Sequence, residues 1–194
     1  MAHLILASSS ARRQELLRQL GLNFDIVRPD IDESIQDNES VSSYVERLAR
    51  EKAQVIFSQC PDAVILAADT SLGLDGKIIG KPESKAHAFE IWTALSGRQH
   101  DVFSGICVAT ASDFLSQVVQ TRVEFQHLTQ ADMENYWATG EPVGKAGAYA
   151  IQGAAAQFIP RIEGSYSNVV GLPLYETVQL LKRVKFIGEN GGFN

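Results

Sequence analysis

Residues 63–68, Ala-Val-Ile-Leu-Ala-Ala, form an unbroken apolar run that closes on a carboxylate, Asp69. A run this short and this apolar reads as a strand buried in a layered sheet. Residues 4–7 form a second apolar strand, followed at once by Ser8-Ser9-Ser10 and a helix over 11–20 that Gly21 stops as a C-terminal cap. Residues 22–27 read as a strand and 28–38 as an acidic loop with Asp30, Asp32 and Glu33. A long helix is expected over 41–58, with Ser43 and Glu46 at capping-box spacing. Asp75-Gly76 between 71–74 and 77–80 is a hairpin signal.

Beyond the hairpin, 83–95 is helical, 102–110 and 117–125 are long neighbouring strands, and 129–139 is a helix with Thr129 and Asp132 near its start. Short strands are expected within 149–162 and a closing helix over 172–184. The alternation makes the fold α/β, and the hairpins make the sheet mixed.

A chain of 194 residues suits one domain, here 1–187, followed by a low-order, flexible tail over 188–194. The formal net charge of −6 argues against a partner that is a nucleic-acid polymer, whose binding rests on neutralising many phosphates. It leaves room for a small anion in a local basic pocket. No apolar run reaches the ~18 residues of a membrane span, and the start carries no basic leader, so a cytoplasmic protein is expected. Cys60 and Cys107 show no metal-ligand spacing and read as free thiols. His3, His87, His100 and His127 are scattered, and neither a GxxxxGK[ST] loop nor a Ser/His/Asp signature is present.

Three places contradict their local setting, and such conflicts tend to mark function. Arg12-Arg13 sit at a helix N-terminus, where the backbone already carries partial positive charge. An anion held by backbone N–H groups, serine hydroxyls and guanidinium forks resolves the conflict; otherwise both arginines point into solvent. Lys52 falls inside the apolar stripe formed by Val41, Tyr44, Val45, Leu48, Val55 and Ile56. It either meets a partner in a cleft or snorkels out along its own stem. Asp69 closes an apolar strand, a place for a catalytic acid or metal ligand, or for a turn-forming side chain. If Asp75-Gly76 is a two-residue turn, counting back sets Lys81 opposite Thr70 and gathers a cation beside the carboxylate. Glu33 and its acidic neighbours could add a second oxygen ligand for Mg²⁺ or Mn²⁺, or could simply be solvated.

Several segments taken together resemble the Maf family. They are Ser8-Ser9-Ser10-Ala11-Arg12-Arg13, Arg47-Leu48-Ala49-Arg50-Glu51-Lys52-Ala53, Ala68-Asp69-Thr70 and Gly80-Lys81-Pro82. Lys145-Ala146-Gly147-Ala148-Tyr149-Ala150-Ile151-Gln152-Gly153, Gly164-Ser165-Tyr166 and Val169-Val170-Gly171-Leu172-Pro173-Leu174 complete the set in order. The resemblance implies a Maf/Ham1-like (ITPase-like) fold, an elongated mixed α/β body whose two lobes flank a deep cleft. It implies a nucleoside triphosphate pyrophosphatase that gives a monophosphate and pyrophosphate with a divalent metal cation, Mg²⁺ or Mn²⁺. The family's proton acceptor maps onto Asp69, and its phosphate- and metal-handling residues onto Ser8, Arg13, Glu33, Lys52 and Lys81, with Asp69 and Glu33 the metal ligands.

The positions associated with base choice map onto Arg12, Thr70 and Gln152, and in those slots the chain looks like the dTTP/UTP subgroup. Ala11 departs from the family's usual proline. Pro would pre-set the first helical turn, so the departure removes no functional group. The family also suggests a homodimer. One rival reading keeps the chemistry but makes modified pyrimidine triphosphates the targets of a house-cleaning role. A rival reading makes the chain a nucleotide-dependent regulator of cell division and septum formation, acting by binding instead of turnover.

Overall fold

The structure, a computed structural model, describes residues 3–187; the expected tail lies outside the described residues. Among the described residues it is a mixed sheet of seven strands with six α-helices. The strands are β1 (Leu4–Ala7), β2 (Asp25–Ile26), β3 (Val64–Leu74), β4 (Lys77–Ile79), β5 (Gln99–Ala109), β6 (Phe114–Glu124) and β7 (Arg161–Glu163). The helices are α1 (Ala11–Gln19), α2 (Val41–Gln59), α3 (Lys85–Leu95), α4 (Gln130–Ala138), α5 (Tyr166–Val170) and α6 (Leu174–Arg183). The sheet runs β2-β1-β3-β5-β6-β7, with β4 paired to β3. Pairs β1/β2 and β1/β3 are parallel and the others antiparallel.

Strand alternation sorts the core onto two faces. Leu4, Leu6, Leu66 and Ala68 join Leu16 and Leu17 of α1, Trp92 of α3, Tyr136 of α4 and Leu180 of α6. Ile5, Ala7, Ile65, Ala67 and Cys107 face the other way, against Ala49, Ala53 and Ile56 of α2. Helix α2 buries Val41, Val45, Leu48, Ala49, Ala53 and Ile56 at helical spacing. Each large aliphatic in that set contributes roughly 1.5–3 kcal/mol. The helix comes down hard on the sheet at Gly105, where a Cβ would lie 2.2 Å from the Val45 carbonyl oxygen. No residue with a side chain fits there, and the close approach sets how far α2 side chains reach across β3.

The hairpin turns on Asp75 and Gly76, both at positive φ (51° and 75°), with Leu74 paired to Lys77. Pairing closes at Leu72–Ile79, two residues short of the expected Thr70–Lys81 partnership. The strand expected over 63–68 and the hairpin strand expected over 71–74 are one: β3 continues through Asp69 to Leu74. What opens at Asp69 is the sheet's edge. Along one side of β3, β1 pairs with residues 64–67 and β4 with 72–74, while β5 covers the other side from Ile65 to Gly73. Residues 68–71 therefore lack a strand neighbour on one side, and the crevice sits in that gap.

Other boundaries moved for local reasons. Helix α2 is capped by Ser40, whose hydroxyl accepts from the Ser43 amide at 3.1 Å, rather than by Ser43 with Glu46. Of the strand expected over 22–27 only Asp25–Ile26 pairs. The segment 149–162 holds a 3-10 turn at Ala154–Phe158 and β7 rather than several strands. Glu141 explains part of this, because its carboxylate accepts from the Ala154 amide at 2.9 Å and shapes the turn. The closing helix begins at Leu174, after the separate short helix α5. Thr129 and Asp132 form a full capping box on α4. No helix among the described residues is long and apolar enough to cross a membrane.

Candidate active site

The gap in the sheet edge opens into a cavity of about 790 Å³. Ser8, Arg12, Arg13, Glu33, Lys52, Asp69, Thr70 and Lys81 all line it, and Gln152 does not. Gln152 is exposed, in a turn that follows the buried run Tyr149, Ala150 and Ile151.

Asp69 and Thr70 are neighbours on one strand, so their side chains leave on opposite faces. Asp69 is in phase with Ile65 and Ala67 and looks toward α2. There Lys52, 7% exposed, donates to Asp69 Oδ1 at 2.7 Å and meets Glu33 Oε1 at 2.7 Å. The lysine within the apolar stripe thus has its partners, and does not snorkel. It clasps two carboxylates whose oxygens lie within twice that distance of each other.

Glu33 comes from the acidic loop, which α2 itself pins down. Tyr44 Oη donates to the Glu33 carbonyl at 2.8 Å, and Arg47 Nη2 to the Ser34 carbonyl at 3.0 Å. Arg47 also grips Glu39 with Nε at 2.6 Å and Nη2 at 2.8 Å. Partial burial works against the Glu33 charge, but the Lys52 hydrogen bond and charge, with Lys81 and Arg13, outweigh it. The carboxyl is held below its ordinary range. Burial and the nearby Asp69 and Glu33 charges push the Tyr44 phenol up to about 12, so it stays a donor.

Thr70 looks to the other face, where α1 and the turn after α5 meet. Arg13 Nε donates to the Gly171 carbonyl at 2.8 Å, Nη2 to Thr70 Oγ1 at 3.1 Å, and Nη1 to Ser8 Oγ at 3.5 Å. Gly171 sits at φ 132°, a conformation that favours glycine and turns its carbonyl onto the guanidinium. Ser10 caps α1 by accepting from the Arg13 amide, and Ser8, 5% exposed, accepts from the Ser10 amide at 3.1 Å. Arg13 is therefore anchored inward rather than solvated. Burial lowers its pKa, with Asp69 opposing that and Arg12 adding to it.

The cavity also takes in residues to which the sequence motifs assigned no role, among them Arg28, Lys145 and Tyr149. Lys145 donates to the Glu141 carbonyl and faces Arg12; burial first and the Arg12 charge second lower its pKa. Its signal was its place in the segment 145–153, whereas Arg28 carried none. Six basic side chains, Arg12, Arg13, Arg28, Lys52, Lys81 and Lys145, outnumber four carboxylates, Asp30, Asp32, Glu33 and Asp69, in the lining of this cavity. Such a surface suits a polyanion of small size.

Behind Tyr149 lies His100, 2% exposed, with Nε2 at 2.8 Å from Tyr149 Oη and Nδ1 without a partner. Burial lowers its pKa to about 4, with Asp101 pulling the other way. The unfolded chain takes up this proton near pH 6.5 and the folded one only near 4, so protonation favours unfolding. Stability therefore falls as pH drops through that window, by up to ~3 kcal/mol. Urea unfolding at pH 7 and pH 4.5 checks this, and the loss should shrink in His100→Phe.

Among the described residues no group of three or more His, Cys, Asp or Glu side chains converges as a metal cage. The donor set at Lys52 is two carboxylates. That fits a hard divalent cation of the Mg²⁺ kind, which takes one or two carboxylates and completes its shell with substrate phosphates and water.

Known proteins resemble this chain along most of its length. Residues 3–184 match the family described as Maf-like protein. A dTTP/UTP pyrophosphatase of Acinetobacter baylyi is 73% identical over 180 residues, 93% of this chain and 98% of that protein. A dTTP/UTP pyrophosphatase of Colwellia psychrerythraea is 47% identical, over 95% of this chain and 90% of that protein. Among solved structures, the Staphylococcus aureus Ham1 protein aligns with a TM-score of 0.44 at 15% identity, covering 63% of this chain and 71% of that one. With residues 3–184 matched, nearly all of the described 3–187, the chain belongs to the Maf family.

Proposed function

We propose that this chain is a nucleoside triphosphate pyrophosphatase that hydrolyses dTTP and UTP to the monophosphate and pyrophosphate. The observation that carries the reaction class is the Lys52 clasp on Asp69 and Glu33, set in a cavity lined by six basic side chains. The pyrimidine substrates follow from relatives of that name, one of them 73% identical. The rival reading, a regulator of septum formation that binds without turnover, finds no support among those relatives. The activity belongs to one unit, residues 1–187, since the cavity draws on segments from β1 to the turn after α5.

Asp69 accepts the proton of the attacking water, whose oxygen bonds to the α-phosphorus as the bond from that phosphorus to the bridging oxygen breaks. Pyrophosphate leaves. Arg13, Lys52 and Lys81 stabilise the charge that develops on it, and Ser8 holds a phosphate oxygen. Asp69 and Glu33 are the residues to hold a divalent cation, which would supply charge neutralisation and a more acidic bound water. Arg12, Thr70 and Gln152 are the positions that the family resemblance links to base choice, and Gln152 carries an amide that can both donate and accept.

A pyrophosphate-release screen across canonical and modified triphosphates with Mg²⁺ or Mn²⁺ tests the assignment. Turnover below ~10⁻² s⁻¹ on every nucleotide would sink it. Gln152→Glu should lower kcat/KM for dTTP and UTP by ~10-fold or more, the scale of a lost specific hydrogen bond, and leave melting unchanged. An unaltered preference across the panel would remove Gln152 from base selection.

A further inference from the structure

Thr70 is one of the positions linked to base choice, yet its hydroxyl is already engaged on three sides. Arg13 Nη2 donates to it at 3.1 Å, Ser104 Oγ lies at 2.7 Å and the Gly171 carbonyl at 3.3 Å. A threonine hydroxyl has one proton and two lone pairs. Arg13 takes one lone pair. Ser104 Oγ is in turn 3.2 Å from the Asn168 carbonyl. Each of the two hydroxyl protons of Thr70 and Ser104 thus faces two acceptors within the protein: its own carbonyl, Gly171 or Asn168, and the other hydroxyl oxygen. Both protons are used inward in either arrangement, so Thr70 has none left for a ligand.

The layer behind Thr70 is fully buried. Ser104 and Asn168 are each 0% exposed, and neither lines the cavity. Ser104 stands opposite Thr70 in the β3–β5 register, on the same face. Asn168 Nδ2 donates to the Val102 carbonyl at 3.1 Å and to Thr121 Oγ1 at 2.9 Å, tying α5 to β5 and β6. Three residues past Asn168, Gly171 presents the carbonyl that Arg13 Nε meets. One polar chain therefore runs from the sheet interior, through Ser104 and Thr70, to two nitrogens of a single guanidinium.

We infer that Thr70 and Ser104 are positioning residues for Arg13: they fix the guanidinium that meets the phosphates, and Thr70 gives no hydrogen-bond donor to the base. This rests on the pyrophosphatase reading and sharpens it, because it moves Thr70 from base recognition to phosphate recognition. A planar fork held at two points keeps its remaining N–H groups aimed at one place, where a loose one would lose that alignment.

The test compares Thr70→Val, Thr70→Ser and Ser104→Ala, with Ser104→Ala also placed on Arg13→Ala. Two readouts are taken: kcat/KM for UTP, dTTP and CTP, and the Kd of α,β-methylene-UTP, which is not cleaved at that link. Thr70→Val and Ser104→Ala should weaken both by a similar factor, ~10-fold, the size of a hydrogen bond to a charged group. The UTP-to-CTP ratio should move by less than ~2-fold, Thr70→Ser should sit near wild type, and on Arg13→Ala the Ser104 change should add under ~2-fold. The inference is overturned if Thr70→Val shifts the UTP-to-CTP ratio ~10-fold while Ser104→Ala leaves binding intact. It is equally overturned if the Ser104 effect persists in full without Arg13. Should Thr70→Val fail to fold, Ser104→Ala, which removes one buried oxygen, carries the same comparison. Wild-type protein that binds the analogue but releases no pyrophosphate would sink the pyrophosphatase reading alone, and the Kd values would still decide this one.

Discussion

Asp69→Asn lowers pyrophosphate release from dTTP and UTP by a factor of ~10²–10⁴, the range for loss of a positioned general base. Asparagine has the same shape, so the strand and its pairing to Gly105 stay as they are. Lys52 keeps Glu33 as a charge partner at 2.7 Å, so the buried ammonium is not stranded. What is lost is the proton acceptor and one unit of negative charge at the point where a cation and water would meet. Single-turnover assays at saturating UTP check this, since the defect should sit in kcat with little change in KM. Turnover within ~10-fold of wild type would remove Asp69 from the chemistry.

Lys52→Ala has a comparable effect by a different route. In the folded protein one ammonium serves two carboxylates, each at 2.7 Å. Without it Asp69 and Glu33 face each other, with Asp69 8% exposed and no other salt-bridge partner for either among the described residues. Burial already works against the Glu33 charge, and its main counterweight is Lys52. Removing that counterweight raises the Glu33 pKa, so its carboxyl takes up a proton at a higher pH than in wild type. Activity should fall ~10²–10³-fold, as for loss of one preorganised donor to developing charge. The acidic limb of the pH–rate profile should move upward, because Glu33 is no longer held low. Breaking a buried pair by deleting one partner also destabilises by about 3–5 kcal/mol, so melting should drop. A variant whose acidic limb stays at the wild-type pH would show that Lys52 does not govern the carboxylates.

Much of the site could be read from local conflicts. Lys52 stood out because helical spacing placed it among Val45, Leu48 and Ile56, and all of these are buried in α2. Arg13 stood out at a helix N-terminus, and Ser8 lay beside it. The hairpin at Asp75-Gly76 followed from turn chemistry, since both residues must adopt positive φ. Elsewhere long-range partners decided the local structure. Asp69 was expected at a strand end, but β5 pairs with the strand to Gly73 and β4 to Leu74, and these partners carry it on. The segment 149–162 looked extended, but the Glu141 carboxylate bends it by taking the amides of Ala154 and Ala155.

By itself, then, the sequence determined the order and kind of most elements, the hairpin turn and the identity of the side chains that break local rules. These depend on periodicity and turn preferences, which act between residues a few positions apart. Only the tertiary structure decided that β1 and β4 leave residues 68–71 open on one edge. It also decided that Lys52 bridges two carboxylates, and that Arg13 is anchored by the carbonyl of Gly171, 158 residues away. A hydroxyl such as that of Ser104 looks the same in sequence whether it is solvated or holds a guanidinium through its neighbour. Its hydrogen-bond partners come from the packing of β3, β5 and the turn after α5, which no local pattern encodes.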